Sequence, residues 1–196
     1  IPKDAFVFGY VGRINADKGI NELIRAFTEL SEKYNGIYLV LVGMLDEANP
    51  ISPENLCKAQ NNPKIVLTGN VPANRVYHYM SVFDALTHPT YREGFGKVLQ
   101  EAMGMSLPII TTDVPGPCEV VENGISGILV KVRDSADLRE KMELLLNDGE
   151  LRRGLSYEGR KRAEKYFDRP IMLNNILCDL NGIMGIENKE KIEYAV

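Results

Sequence analysis

The sequence predicts a doubly wound α/β domain of the Rossmann-like kind: about six parallel strands with helices on both faces, then extra helices at the C-terminal end. Three observations carry this. Short apolar runs such as FVFGYVG (6–12) and YLVLVG (38–43) are continuous and lack the alternation of a strand with one wet face. Stretches with apolar residues at helical spacing separate them. Glycines or turn residues stand where most of the runs end.

Taken in order, 6–12 reads as the first strand. Residues 19–34 read as a helix, with Leu23, Ile24, Phe27 and Leu30 on one face. Strands follow at 38–43 and 65–69, then a helix over 75–82. A strand at 85–88 leads to a helix at 97–105, and the last strands lie at 108–114 and 127–132. From Asp134 the pattern is helical throughout, over 134–147, 150–167 and 169–185. The last helix carries a broad apolar stripe (Met172, Leu173, Ile176, Leu177, Leu180, Ile183, Met184), and a charged, fraying tail is expected over 187–196. The expected division is one domain over 1–168 and an appended helix with tail over 169–196.

The chain has 196 residues, enough for one domain with a real core and a small appendage. Its formal charge of −4 argues against a general nucleic-acid binder. Cys57, Cys118 and Cys178 are odd in number and form no C-x-x-C pair, so neither a zinc ribbon nor a disulfide framework is supported. Free thiols, no signal peptide and no bilayer-spanning run place the expectation in the cytoplasm. The chain begins at Ile1 with a strand close behind, and reads as a piece of a longer protein.

In open parallel sheets ligands sit beyond the carboxyl ends of the strands, beside helix N-termini. After the first strand stands G-R-I-N-A-D-K-G (12–19), where Arg13 and Lys18 lie next to a helix start and suit a diphosphate. Each alone reads more readily as a solvated loop charge, a reading that the flanking glycines and the strand–helix context weaken. After the strand at 85–88 comes P-T-Y-R-E-G-F-G (89–96) and then a helix carrying Glu101. Gly94 and Gly96 allow close backbone approach, while Glu93 and Glu101 offer separated carboxylates for hydroxyl groups. Glu101 could instead simply complement its helix dipole. Of the two histidines, His78 reads as a surface or packing residue; His88, at a strand end, could line the site. There is no P-loop, no tight G-x-G-x-x-G after the first strand and no Asp-x-Asp pair, so neither a cofactor nor a metal is expected.

The runs HPTYREGFGKVLQEAMG (88–104), LPIITTDVPG (107–116) and EVVENGISGILV (119–130) together resemble glycosyltransferase family 4. The resemblance covers roughly 6–167. It implies the C-terminal half of a GT-B enzyme, in which two Rossmann-like domains face each other and transfer proceeds with retention. By that resemblance Gly12, Arg13 and Lys18 hold the donor diphosphate. Glu93 and Glu101 match the family's E-x7-E motif, the first at the transferred sugar and the second at the ribose. Amides of Gly94, Phe95 and Gly96 meet sugar and phosphates. Gly69 to Val71 resembles the loop beside the base, and Leu99 packs near the ribose or base. Glu93, Arg13 and Lys18 then carry the catalysis.

The resemblance further implies a nucleotide-sugar donor, UDP-linked in its bacterial capsule and glycan branch, with the sugar itself a substrate rather than a cofactor. It implies an acceptor domain preceding Ile1, onto which the last helix crosses, and a lipid-linked glycan acceptor at the inner face of the membrane. A fragment lacking the acceptor domain is expected to bind donor and transfer nothing. Three rivals stand beside this reading: a non-hydrolysing sugar-nucleotide epimerase, a glycosidase using Glu93 and Glu101, and a silent nucleotide-sugar-binding module.

Overall fold

A computed structural model describes residues 1–184. Its centre is a six-stranded sheet in the order β3-β2-β1-β4-β5-β6, parallel throughout. The strands are β1 (Phe6–Val11), β2 (Ile37–Val42), β3 (Ile65–Leu67), β4 (Ala85–His88), β5 (Ile109–Thr112) and β6 (Ile128–Val130). Each expected strand is present, several shorter than its apolar run.

The continuous apolar runs have a direct explanation, because side chains alternate across the sheet and both faces are covered. Phe8, Tyr10, Leu39 and Leu41 enter one core, with α1 (Ile20–Lys33) and α6 (Ser135–Asn147) against them. Val7, Val40, Val42 and Leu86 enter the other, covered by α4 (Lys97–Gly104), α5 (Pro117–Val120) and the end of α3 (Val76–Met80). Burying one such aliphatic side chain contributes roughly 1.5–3 kcal/mol. The apolar face of α1 is the one its periodicity marks: Leu23, Ile24, Phe27 and Leu30 are all buried.

Two helices went unforeseen. α2 (Pro53–Asn61) buries only Asn55 and Ala59, so it shows almost no apolar period; Ser52 caps it and Pro53 starts it. α5 is a single turn. The helix expected over 75–82 is a 3-10 turn at Ala73–Arg75 followed by α3. The one expected over 150–167 is α7 (Gly149–Arg162) running into a wider π-type turn at Ala163–Phe167. Capping carboxylates define the starts of the C-terminal helices: Asp134 accepts from the amides of Ala136 and Asp137, and Asp148 from that of Leu151.

The last helix, α8 (Arg169–Met184), is the outlier. Leu173, Ile176, Leu180, Ile183 and Met184 are all exposed. Met172 and Leu177 are half-buried, so this domain absorbs the apolar stripe only in part. The tail expected over 187–196 lies outside the described residues. No described helix is long and apolar enough to cross a membrane.

Candidate functional site

The strand order reverses between β1 and β4, and the loops beyond their carboxyl ends meet above the sheet. From β1 the chain runs through Gly12 and Arg13 to Ile14, whose amide donates to the Met44 carbonyl (2.9 Å). Asn15 Oδ1 accepts from the Lys18 amide (3.0 Å) and closes a short turn at Ala16–Lys18. Gly19, at φ 68°, converts that turn into α1. A side chain would not fit there, since a Cβ would lie 1.9 Å from the carbonyl oxygen of Pro89. The loop from β1 thus rests directly on the loop from β4, and the Tyr91 amide donates to the Asp17 carbonyl (2.8 Å) across the join.

This contact brings Lys18 to Glu93. Lys18 Nζ lies 2.6 Å from Glu93 Oε2, with side-chain exposures of 18% and 22%. His88 Nε2 lies 3.3 Å from the same oxygen. The other oxygen, Oε1, accepts only the neighbouring Gly94 amide among the described residues (3.2 Å). The His88 hydrogen bond first, and then Lys18, pull the Glu93 carboxyl down to about 2, against the opposing effect of partial burial. Glu93 is therefore a carboxylate at any physiological pH. Burial holds the His88 imidazole below its ordinary range.

Arg13 is 69% exposed and pairs with Asp46 at 3.3 Å. Asp46 also accepts from Asn15 Nδ2 (3.0 Å), the main reason its carboxyl sits below the usual range. A cavity of about 350 Å³ opens here, lined by Arg13, Asn15, Lys18, Arg92, Glu93 and Gly94. Arg92 itself pairs with Asp17 at 2.8 Å. Two cation-bearing loops, the start of α1 and a fixed carboxylate thus share one small opening, which suits an anionic ligand that also carries hydroxyl groups.

The structure does not gather every expected residue at that cavity. Glu101 sits in α4, 46% exposed, with Lys97 Nζ 3.8 Å away. It faces a second, larger groove of about 910 Å³ between α4 and α8, shared with Phe95, Gln100 and Leu173. Phe95 stands edge-on to Phe167 with ring centres 6.1 Å apart. Gly96, at φ 67°, ends the loop and starts α4. Gly69 pairs with Gly43 beyond β2 and β3, while Val71 is half-buried against the core; neither lines the two cavities. Gly12 lies beneath this region, its carbonyl so close to Gly43 that a Cβ there would meet it at 1.9 Å. Leu99 is fully buried in the core and His78 is exposed on α3. Asp46, Asn15 and Tyr10 were not anticipated. Asp46 follows a strand end, the one signal that could have found it.

Residues 1–162 match the family described as glycosyl transferases group 1. The capsular polysaccharide biosynthesis glycosyltransferase CapM of Staphylococcus aureus is 41% identical over 171 residues, 86% of this chain and 44% of CapM. Among solved structures, the C-terminal domain of a glycosyl transferase group 1 protein (LpcC) from Francisella tularensis superposes with a TM-score of 0.77. It is 23% identical and covers 84% of this chain and 87% of that domain. HepE of Anabaena, solved with UDP-glucose, gives a TM-score of 0.80 at 22% identity, over 91% of this chain and 49% of HepE. The chain spans about half the length of the curated relatives it matches.

Proposed function

The chain belongs to the glycosyl transferases group 1 family, and from that premise we propose that it is the donor-binding half of a retaining family 4 enzyme that transfers a sugar from a nucleotide diphosphate. The observation that carries this reading is one cavity, at the reversal of strand order, that collects Arg13, Lys18 and the ionised Glu93. Arg13 and Lys18 hold the diphosphate and take up the charge that builds on it as the sugar–phosphate bond breaks. Glu93 receives a hydroxyl of the transferred sugar. In this reading the two cations neutralise the leaving group and no metal has a role.

Glu101 lies around the α4 N-terminus from Glu93, in the adjoining groove, and takes the ribose hydroxyls there. Placement in separate cavities speaks against these two acids flanking one bond as a glycosidase pair. The glycine turn at Gly69 and half-buried Val71 lie toward the base. A UDP-sugar is the proposed donor, in keeping with the UDP-glucose seen in HepE. Capsule or related surface-glycan synthesis, on a lipid-linked acceptor at the inner membrane face, is the proposed setting, in keeping with the likeness to CapM. The exposed apolar face of α8 is proposed to meet an acceptor domain of the parent protein. This half alone binds donor without turning it over.

Calorimetric titration with UDP, GDP and ADP tests the assignment. One nucleotide should bind saturably, and both Arg13→Ala and Glu101→Ala should weaken it about tenfold, the ~1.4 kcal/mol of one charged hydrogen bond. Binding that neither substitution alters would sink the reading.

A further inference from the structure

We propose that His88 is a positioning residue for Glu93, donating its Nε2–H to Oε2 and so leaving Oε1 as the oxygen that receives the sugar hydroxyl. The inference rests on the reading of Glu93 as the sugar-facing carboxylate.

His88 is the last residue of β4 and only 2% exposed. Its Nε2 faces Glu93 Oε2 at 3.3 Å, and its Nδ1 is buried with no hydrogen-bond partner. These two facts select one tautomer. With the proton on Nδ1, a buried N–H would be orphaned and two lone pairs would face each other between Nε2 and the carboxylate. An imidazolium would add a buried charge and still orphan the Nδ1–H. Only the neutral Nε2–H form satisfies the carboxylate and leaves nothing worse than an unused lone pair on Nδ1.

The ring cannot easily turn. Tyr10 stacks on it with centroids 5.4 Å apart and planes 8° from parallel. The Tyr10 hydroxyl donates to the Arg13 carbonyl (2.7 Å), and Thr111 Oγ1 donates to the carbonyl of His88 itself (2.9 Å). The first bond ties the stacked ring to the loop that carries Arg13, and the second ties the His88 backbone to β5.

The division of labour follows. Lys18 and His88 converge on Oε2, while Oε1 has only the weak local bond from Gly94. Lys18 has three N–H groups and is shared with the diphosphate once donor arrives. The His88 ring makes no other hydrogen bond among the described residues, so it holds the carboxylate in one orientation whether or not Lys18 stays.

Nitrogen-15 NMR of the chain is the test, since it has only two histidines and His78→Gln identifies the other ring. His88 should show a protonated Nε2 and a bare Nδ1. A protonated Nδ1, or an imidazolium at neutral pH, overturns the proposal. In parallel, the Glu93 carboxyl is titrated by carbon-13 NMR. His88→Phe should raise its midpoint by about one pH unit, and His88→Gln, which restores an N–H donor, should recover much of that. An unmoved midpoint in folded His88→Phe also overturns it; should that variant not fold, the tautomer decides. If instead UDP and UDP-glucose fail to bind the wild-type chain while both NMR signatures hold, the donor-site reading has failed and the hydrogen bond has not.

Discussion

The charge on Glu93 makes a quantitative claim about acid stability. Its carboxyl falls from an ordinary 4.5 to about 2 in the folded chain. At roughly 1.4 kcal/mol per pKa unit that is at most about 3.5 kcal/mol. Partial solvent screening brings a realistic figure to about 1.5–2 kcal/mol. A carboxyl depressed by folding contributes fully above its unfolded value and loses the contribution as pH falls towards its folded one. Glu93→Gln should therefore be less stable than wild type by about 1.5–2 kcal/mol at pH 7, roughly 4–6 °C in Tm for a chain of this size. The gap should shrink to less than half by pH 3, most of the change falling below pH 4.5. Urea unfolding of both proteins at intervals from pH 7 to pH 3 measures the gap directly. Other acids titrate alike in both proteins, so only the difference between them matters. A gap that stays constant, or widens towards acid, would refute the assigned role of His88 and Lys18 in holding this carboxylate.

Two further outcomes follow from the packing. Gly43→Ala places a Cβ 1.9 Å from the Gly12 carbonyl at a backbone φ of 148°. It should cost about 2–4 kcal/mol and weaken nucleotide binding, read by thermal unfolding and calorimetry; an unchanged Tm would show that the strand ends can separate freely. Ile176→Gln with Leu180→Gln, both on the exposed face of α8, should change stability by less than about 1 kcal/mol. The same pair should reduce binding of a hydrophobic dye, and a large loss of stability would mean that the face is packed against this domain.

Much of the scaffold was legible because sheets buried on both sides leave an unmistakable trace. Phe8 and Tyr10 serve one core while Val7 serves the other, so the strand reads as an unbroken apolar run. α2 was silent for the opposite reason: it buries Asn55 and Ala59 and packs only Leu56 on the core, which gives no stripe. That Arg13, Lys18 and Glu93 share one cavity was legible from their places after strands. Tyr10 was not, because in an apolar run it is indistinguishable from a core residue until its hydroxyl is seen on the Arg13 carbonyl. The separation of Glu101 from Glu93 was legible, but not that they enter different cavities. Their spacing crosses the turn at Gly96, and only the direction in which α4 leaves that turn decides which cavity each acid enters.

The contact of Gly19 on the Pro89 carbonyl bears on how this site can be altered. It sets the closest approach of the two loops through main chain, beneath the Lys18–Glu93 and Arg92–Asp17 ion pairs that also cross between them. Exchange of Arg13, Arg92 or Asp46 should then retune which ligand is favoured while the frame stays put, like changing the pins of a lock without recutting its barrel. Gly19 is the exception: a side chain there would pry the loops apart and dismantle every preference at once.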